Sequence, residues 1–126
     1  MRIELKPGRA HGTVAAPPSK SMAHRLLLCA ALAEGVSTVR GIAESEDMLA
    51  TLDCIRALGA DWTRTGDTVT VRGGLHPTGR PFPCRESGST LRFFIPAALL
   101  SGGEAVFTGT QRLMERGVGV YEAVFA

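Results

Sequence analysis

No apolar run in the 126 residues outlasts Leu26 to Ala33, far short of the roughly 20 residues that a membrane-spanning helix needs. The N-terminus, Met1-Arg2-Ile3-Glu4-Leu5-Lys6-Pro7, has no apolar signal core, which points away from export. A surplus of one charge is missing too. Fourteen Lys and Arg against 12 Asp and Glu leave +2, with the signs interleaved and no basic tail. Neither nucleic acid nor a membrane surface is therefore an expected partner. Cysteine is scarce: Cys29, Cys54 and Cys84 are odd in number and widely spaced, as free thiols in a reducing cytoplasm would be. With His11, His24 and His76 they make no metal-ligand pattern, and no metal or other cofactor is expected. A Walker string, Gly-x-x-x-x-Gly-Lys-Ser/Thr, is absent. So are a Ser-His-Asp set and a cysteine with a histidine placed to activate it. What remains is a globular composition, 44% apolar and 21% charged. It is neither disordered, collagen-like nor coiled-coil, and it suits one domain or a piece of something larger.

Met1 to Ala16 alternates weakly through Ile3 and Leu5, passes Gly8 and Gly12, and leads into Pro17-Pro18. Two prolines cannot continue a helix, so the pattern predicts strand, turn, strand and loop. From Ser19 it turns helical. Ser19 or Ser21 can cap, Met22 to Ala33 are nearly all good helix formers, and Gly35 stands where a left-handed stop belongs. The run Leu26-Leu27-Leu28 predicts a helix covered on most sides. Val36 to Arg40 reads as a short strand ended by Gly41. Ser45 then caps a second helix, with Glu46 and Asp47 in its first turn, where the helix dipole favours negative charge. Its apolar stripe is Met48, Leu49, Leu52, Ile55 and Leu58, closed by Gly59. Trp62 to Val71 alternates around Gly66-Asp67 and reads as a hairpin. Gly73 to Arg85, with Pro77, Pro81 and Pro83, reads as a connection.

At Ser87 the scheme begins again. Placing Ser87 on Ser19, an offset of 68 residues, also matches Ser21 to Ser89, Ala30 to Ala98, Leu32 to Leu100, Gly35 to Gly103 and Gly41 to Gly109. The matches fall on caps, stops and one helix face, which points to an internal duplication. Each unit reads helix, strand, helix, and the first adds the hairpin. The last helix of the second unit (Val118, Val120, Tyr121, Val124, Phe125) runs to Ala126 with no stop signal and no closing hairpin. The chain thus reads as cut short, with an apolar end that favours self-association. Pro96 lies inside the predicted Ser89 to Ser101 helix. Proline there costs about 3 kcal/mol, so a kink or a break is expected.

The strongest local chemistry lies in Pro17-Pro18-Ser19-Lys20-Ser21-Met22-Ala23-His24-Arg25. A serine-rich loop entering a helix offers free amides and hydroxyls at the positive end of the dipole, an anion site. Lys20 adds a mobile point charge, and Arg25, one turn in from Ser21, adds a planar fork for phosphate or carboxylate. The plainer reading is a capped helix with two surface cations. Glu86-Ser87-Gly88-Ser89-Thr90-Leu91-Arg92 repeats the theme, and Gly88 lets a ligand approach the backbone. Two such sites at equivalent places in a duplication favour the functional reading for both. Arg112, Glu115 and Arg116 form a third charged group, whose plainer reading is a solvated helical face.

These strings occur in the order Pro18-Ser19-Lys20-Ser21 with Arg25, Ser45-Glu46-Asp47, Glu86 to Arg92, then Arg112-Leu113-Met114-Glu115-Arg116. In that order they resemble the N-terminal part of the 3-phosphoshikimate 1-carboxyvinyltransferase (EPSP synthase) family, over essentially the whole chain. The resemblance implies an α/β, enolpyruvate transferase-like fold, an inside-out α/β barrel of repeated β-α-β-α-β-β units with helices packed inside. Here that means one full repeat (residues 19–74) and one partial repeat (residues 87–126) of a first domain spanning residues 19–126. Strands within residues 1–18 would pack with a second domain. It further implies a cytoplasmic, monomeric transferase of the shikimate pathway of aromatic amino acid biosynthesis. Such an enzyme moves the carboxyvinyl group of phosphoenolpyruvate to the 5-hydroxyl of shikimate 3-phosphate. By the same resemblance Lys20 meets both substrates, and Ser21 and Arg25 hold shikimate 3-phosphate. Gly88, Arg92 and Arg116 take phosphoenolpyruvate, and Asp47 lies near its pocket as a catalytic residue beside Lys20.

Two departures qualify the likeness. Where the family usually has proline after its Glu-Arg pair, this chain has Gly117, which predicts a looser helix start. No residue here matches the family's catalytic base or the further arginines of its second domain, so the chain alone is expected to hold half a cleft and to be inactive. Two alternatives stay open on the sequence. One is a fragment of a UDP-N-acetylglucosamine enolpyruvyl transferase, against which Ser21 after Lys20 speaks. The other is a non-catalytic small-anion-binding module.

Overall fold

Ser19, in an extended conformation, accepts the Met22 amide on its hydroxyl and opens α1 (Lys20–Leu32). Ser45 accepts from Met48 and opens α2 (Glu46–Leu58), which closes on Gly59 at φ +104°. Between them runs β1 (Gly35–Val39), and after α2 come β2 (Asp61–Thr65) and β3 (Thr68–Gly73). The three strands form an antiparallel sheet in the order β1-β3-β2. Val69 and Val71 of β3 point inward and are fully buried, so the sheet covers α1 and α2 on one side. β4 (Phe82–Pro83) then leads to α3 (Gly88–Leu100), capped by Ser87, and β5 (Phe107–Thr108) pairs with β4 in parallel. α4 (Gln111–Met114) and α5 (Gly119–Phe125) follow. The computed structural model describes residues 2–4, 6–76 and 78–125.

The core is built from one stripe of each long helix and the inner face of the sheet. Leu27, Met48, Leu52, Ile55, Leu58, Val69, Val71, Phe94 and Leu113 are all within 1% of full burial. Each such side chain contributes about 1.5–3 kcal/mol over its exposed state. α1 and α3 obey the 68-residue offset over their whole lengths, each with a serine cap. The offset fails after α3.

Several expectations are corrected. Among the described residues up to Pro18 there is no strand, and these residues are exposed; a lone extended segment has no ladder to pair its amides. Leu5, part of the expected first strand, lies outside the described residues, as do Pro77 of the connection and Ala126. α1 is not covered on most sides: Leu27 is buried, but Met22 and Leu26 are about half exposed. Ala33, not Gly35, caps α1, and Gly35 at φ +90° begins β1. The proline-rich connection contains β4, too short to leave an alternating pattern. α3 continues unbroken through Pro96. The expected last helix is split, because Gly117 takes φ +65° and donates its amide to Met114 O at 3.1 Å, ending the α4 turn before α5 begins. The helix start after Arg116 is therefore a left-handed turn that proline, held near φ −65°, could not make.

Candidate functional site

The first turns of α1, α2 and α3 meet. Lys20 Nζ of α1 contacts Asp47 Oδ2 of α2 at 2.5 Å. Thr51 Oγ1 of α2 lies 2.9 Å from Thr90 Oγ1 of α3. Three serine caps thus gather at one end of the helical layer, and with them the positive ends of three helix dipoles.

Beside this junction is an open cavity of about 370 Å³ lined by Asp47, Glu86, Gly88, Ser89, Arg92, Phe93 and Arg116. Gly88 sets its geometry. A β-carbon at Gly88 would sit 2.9 Å from Arg92 Nη1 and 3.5 Å from Arg116 Nη1, so the two guanidinium groups close over a position kept free of side chain. Arg92 Nη1 also donates to Gly88 O at 3.3 Å. Neighbouring cations repel, and a bound anion relieves that repulsion.

On the other side of Phe93 lies the α1 group. Arg25 stacks over the Phe93 ring, 5.0 Å from its centroid, and donates through Nη1 to Ser21 Oγ at 2.5 Å and Ser21 O at 2.9 Å. The Lys20–Asp47 pair is largely exposed. Such pairs contribute about 0–1 kcal/mol, so its consequence is the placement of the ammonium group beside the cavity.

Of the residues read from sequence, Asp47, Gly88, Arg92 and Arg116 line one cavity, Lys20 reaches it through Asp47, and Ser21 and Arg25 flank it through Phe93. Arg112 and Glu115 are exposed away from it, and Glu115 accepts from Gln111.

Sequence reasoning missed three contributors. Phe93 joins the two halves. Arg85, at φ +53°, donates to Glu46 at 2.6 Å and Asp53 at 2.8 Å and so ties the loop before α3 to α2. His24 is buried on the stripe it shares with Leu27 and Ala31, a helical spacing that could have revealed it. Burial pushes the His24 pKa down; Asp47 opposes this, while Lys20 and Arg25 reinforce it. The cysteines are free: Cys29 is exposed, and the buried Cys54 and Cys84 lie 4.0 Å apart. The Cys84 contact and burial push the Cys54 thiol up. Among the described residues no group of three His, Cys, Asp or Glu could hold a metal ion.

Three helix N-termini, with Arg92 and Arg116 lining an open hollow and Lys20 and Arg25 beside it, make a cationic site on an α/β protein. Residues 5–120 match the family model of EPSP synthase (3-phosphoshikimate 1-carboxyvinyltransferase), and the chain belongs to that family. A 3-phosphoshikimate 1-carboxyvinyltransferase of Clostridium beijerinckii is 41% identical over 98% of this chain, and one of Clostridium kluyveri 38% over 98%. An EPSP synthase structure from Acinetobacter baumannii superposes with a TM-score of 0.65 at 32% identity. It covers 79% of this chain and 24% of its own. The chain spans about 30% of the length of the curated relatives it matches. The fold is the enolpyruvate transferase fold in part, and no described helix is long and apolar enough to cross a membrane.

Proposed function

We propose that this chain forms one wall of the cleft in which the carboxyvinyl group of phosphoenolpyruvate passes to the 5-hydroxyl of shikimate 3-phosphate. The observation that carries the reading is the pairing of Arg92 and Arg116 over Gly88 at the meeting point of three helix N-termini. In this reading Gly88, Arg92 and Arg116 receive the phosphate and carboxylate of phosphoenolpyruvate, and Ser21 and Arg25 hold shikimate 3-phosphate. Lys20 stands between the two and meets both. Asp47, its partner, keeps the ammonium aimed at the junction. Positive groups fixed before reaction stabilise the charge that develops on the way to a tetrahedral adduct without reorganising. The family match favours this reading over the UDP-N-acetylglucosamine relative and over a non-catalytic module.

Free thiols at Cys29, Cys54 and Cys84 support a cytoplasmic setting. The exposed Val120, Val124 and Phe125 of α5 support self-association of this chain at high concentration.

The test is a two-dimensional amide NMR titration of the chain, first with shikimate 3-phosphate and then with phosphoenolpyruvate. Selective shifts at Ser19–Arg25 with the first ligand and at Gly88–Arg92 and Arg116 with the second are expected. A dispersed spectrum unmoved by either ligand at millimolar concentration would overturn the reading.

A further inference from the structure

A buried line of hydrogen bonds crosses all three helices beneath the cleft. His24 Nδ1 of α1 lies 2.7 Å from Thr51 Oγ1 of α2. Thr51 Oγ1 lies 2.9 Å from Thr90 Oγ1 of α3, and Thr90 Oγ1 lies 2.8 Å from Ser87 Oγ, the α3 cap. All four residues are at most 2% exposed. Thr51 and Thr90 hydroxyls both also reach the carbonyl of Asp47, at 3.1 and 3.4 Å. None of the four lines the cavity.

The proton positions follow from what each atom can do. Asp47 O only accepts and is within reach of both the Thr51 and Thr90 hydroxyls; with the nearer Thr51 proton on it, Thr51 Oγ1 is free to accept from His24 Nδ1–H. His24 Nε2 is buried with no partner among the described residues. As a bare lone pair it costs less there than a stranded N–H would. The imidazole is therefore neutral, and its proton is on Nδ1.

We propose that His24, Thr51 and Thr90 are positioning residues for the cleft: their hydrogen bonds hold the α1 residues Lys20, Ser21 and Arg25 in register with Gly88 and Arg92 of α3. Apolar packing alone lets helices slide and turn against one another at small cost, whereas a chain of short polar contacts has one geometry. A carbonyl in the first turn of α2 is its hub, the same turn that presents Asp47 to Lys20. The inference rests on the proposed substrate reading of the cleft, but its parts can be tested apart from it.

Thr51→Val keeps the shape and removes the hydroxyl; Thr51→Ser keeps the hydroxyl. Calorimetric titration with phosphoenolpyruvate and with shikimate 3-phosphate is expected to show about tenfold weaker binding of both to Thr51→Val, with Thr51→Ser close to the parent. A purely structural role would lower the unfolding free energy and leave the affinity of folded molecules unchanged, so equal dissociation constants overturn the proposal. Should Thr51→Val not fold, His24→Asn and His24→Gln decide instead. Asn places an amide nitrogen where Nδ1 stood and retains affinity; Gln places it where Nε2 stood and loses affinity. Equal binding by the two variants counts against the relay.

Two measurements need no ligand. Imidazole nitrogen shifts must show Nδ1–H with a bare Nε2, and the opposite tautomer overturns the chain of donors. Thr51→Val must move the amides of Ser87 to Ser89 while Thr51→Ser does not, and silence there overturns it as well. If the parent binds neither substrate, the cleft reading falls and these two results alone decide the relay.

Discussion

Tyr121 donates its hydroxyl to the backbone carbonyl of Arg92 at 2.9 Å, and that carbonyl is the one Pro96, four residues on, leaves without an amide. α5 thus repairs α3 at the residue that carries a cleft guanidinium. Arg116, the second guanidinium at Gly88, lies on the short link between α4 and α5. One hydroxyl therefore secures the helix of one arginine and the segment that follows the other.

Tyr121→Phe removes that donor and strands the carbonyl. A loss of about 1 kcal/mol or somewhat more is expected by urea unfolding. In a Pro96→Ala background the restored backbone amide takes over, and the same change should cost close to nothing. Equal costs in both backgrounds would show that the hydroxyl does not compensate the proline.

Gly88→Ala tests the cleft directly. Gly88 lies within α3, and the nearest atom that its new methyl would meet is the far end of the Arg92 side chain. The fold is expected to survive with the guanidinium displaced. Phosphoenolpyruvate affinity should drop about tenfold, or about 1.4 kcal/mol, with shikimate 3-phosphate affected less. Isothermal titration of both ligands checks the split.

Arg85 holds a left-handed backbone and two carboxylates at once. Arg85→Ala and Arg85→Gly both lose the ion pairs, but only glycine suits φ +53° without cost. Arg85→Gly should therefore be the more stable by about 1 kcal/mol, the reverse of the usual order of these residues in flexible loops. Thermal unfolding of the two variants decides.

Stability should fall on acidification through His24. Its folded pKa lies below the ordinary 6.5 because burial disfavours the imidazolium, so between the two values the unfolded chain binds more protons. The contribution is complete above pH 6.5 and is lost as pH drops from there towards the folded pKa. Denaturant melts across that window should show a shallower pH slope for His24→Asn. A slope equal to the parent's would place the titration elsewhere.

Much of this molecule is legible in one dimension. Ser45, the acidic first turn and Gly59 bound α2 where the sequence places it, because caps and left-handed stops are local steric facts. The hairpin about Gly66-Asp67 is legible for the same reason. α3 through Pro96 is not: proline's cost is visible in the chain, but the hydroxyl that offsets it belongs to another helix, 29 residues beyond the stranded carbonyl. Nor is the exposed side of α1, since Met22 and Leu26 differ from Leu27 only in what lies opposite them.

The site divides in the same way. Lys20, Ser21, Arg25, Gly88 and Arg92 could be named from residue type and spacing, because anion chemistry needs cations at capped helix starts, whereas Asp47 and Arg116 came only with the family resemblance. Their grouping could not. That Arg92 and Arg116 close on Gly88, that Phe93 carries Arg25, and that His24, Thr51 and Thr90 run beneath them depends on how three helices pack. The sequence by itself determined the serine-capped starts of the long helices, the charges and the family, all properties of short strings. The tertiary structure alone decided which of those strings share a wall, because contacts between distant segments follow from packing the whole core and are encoded in no one segment.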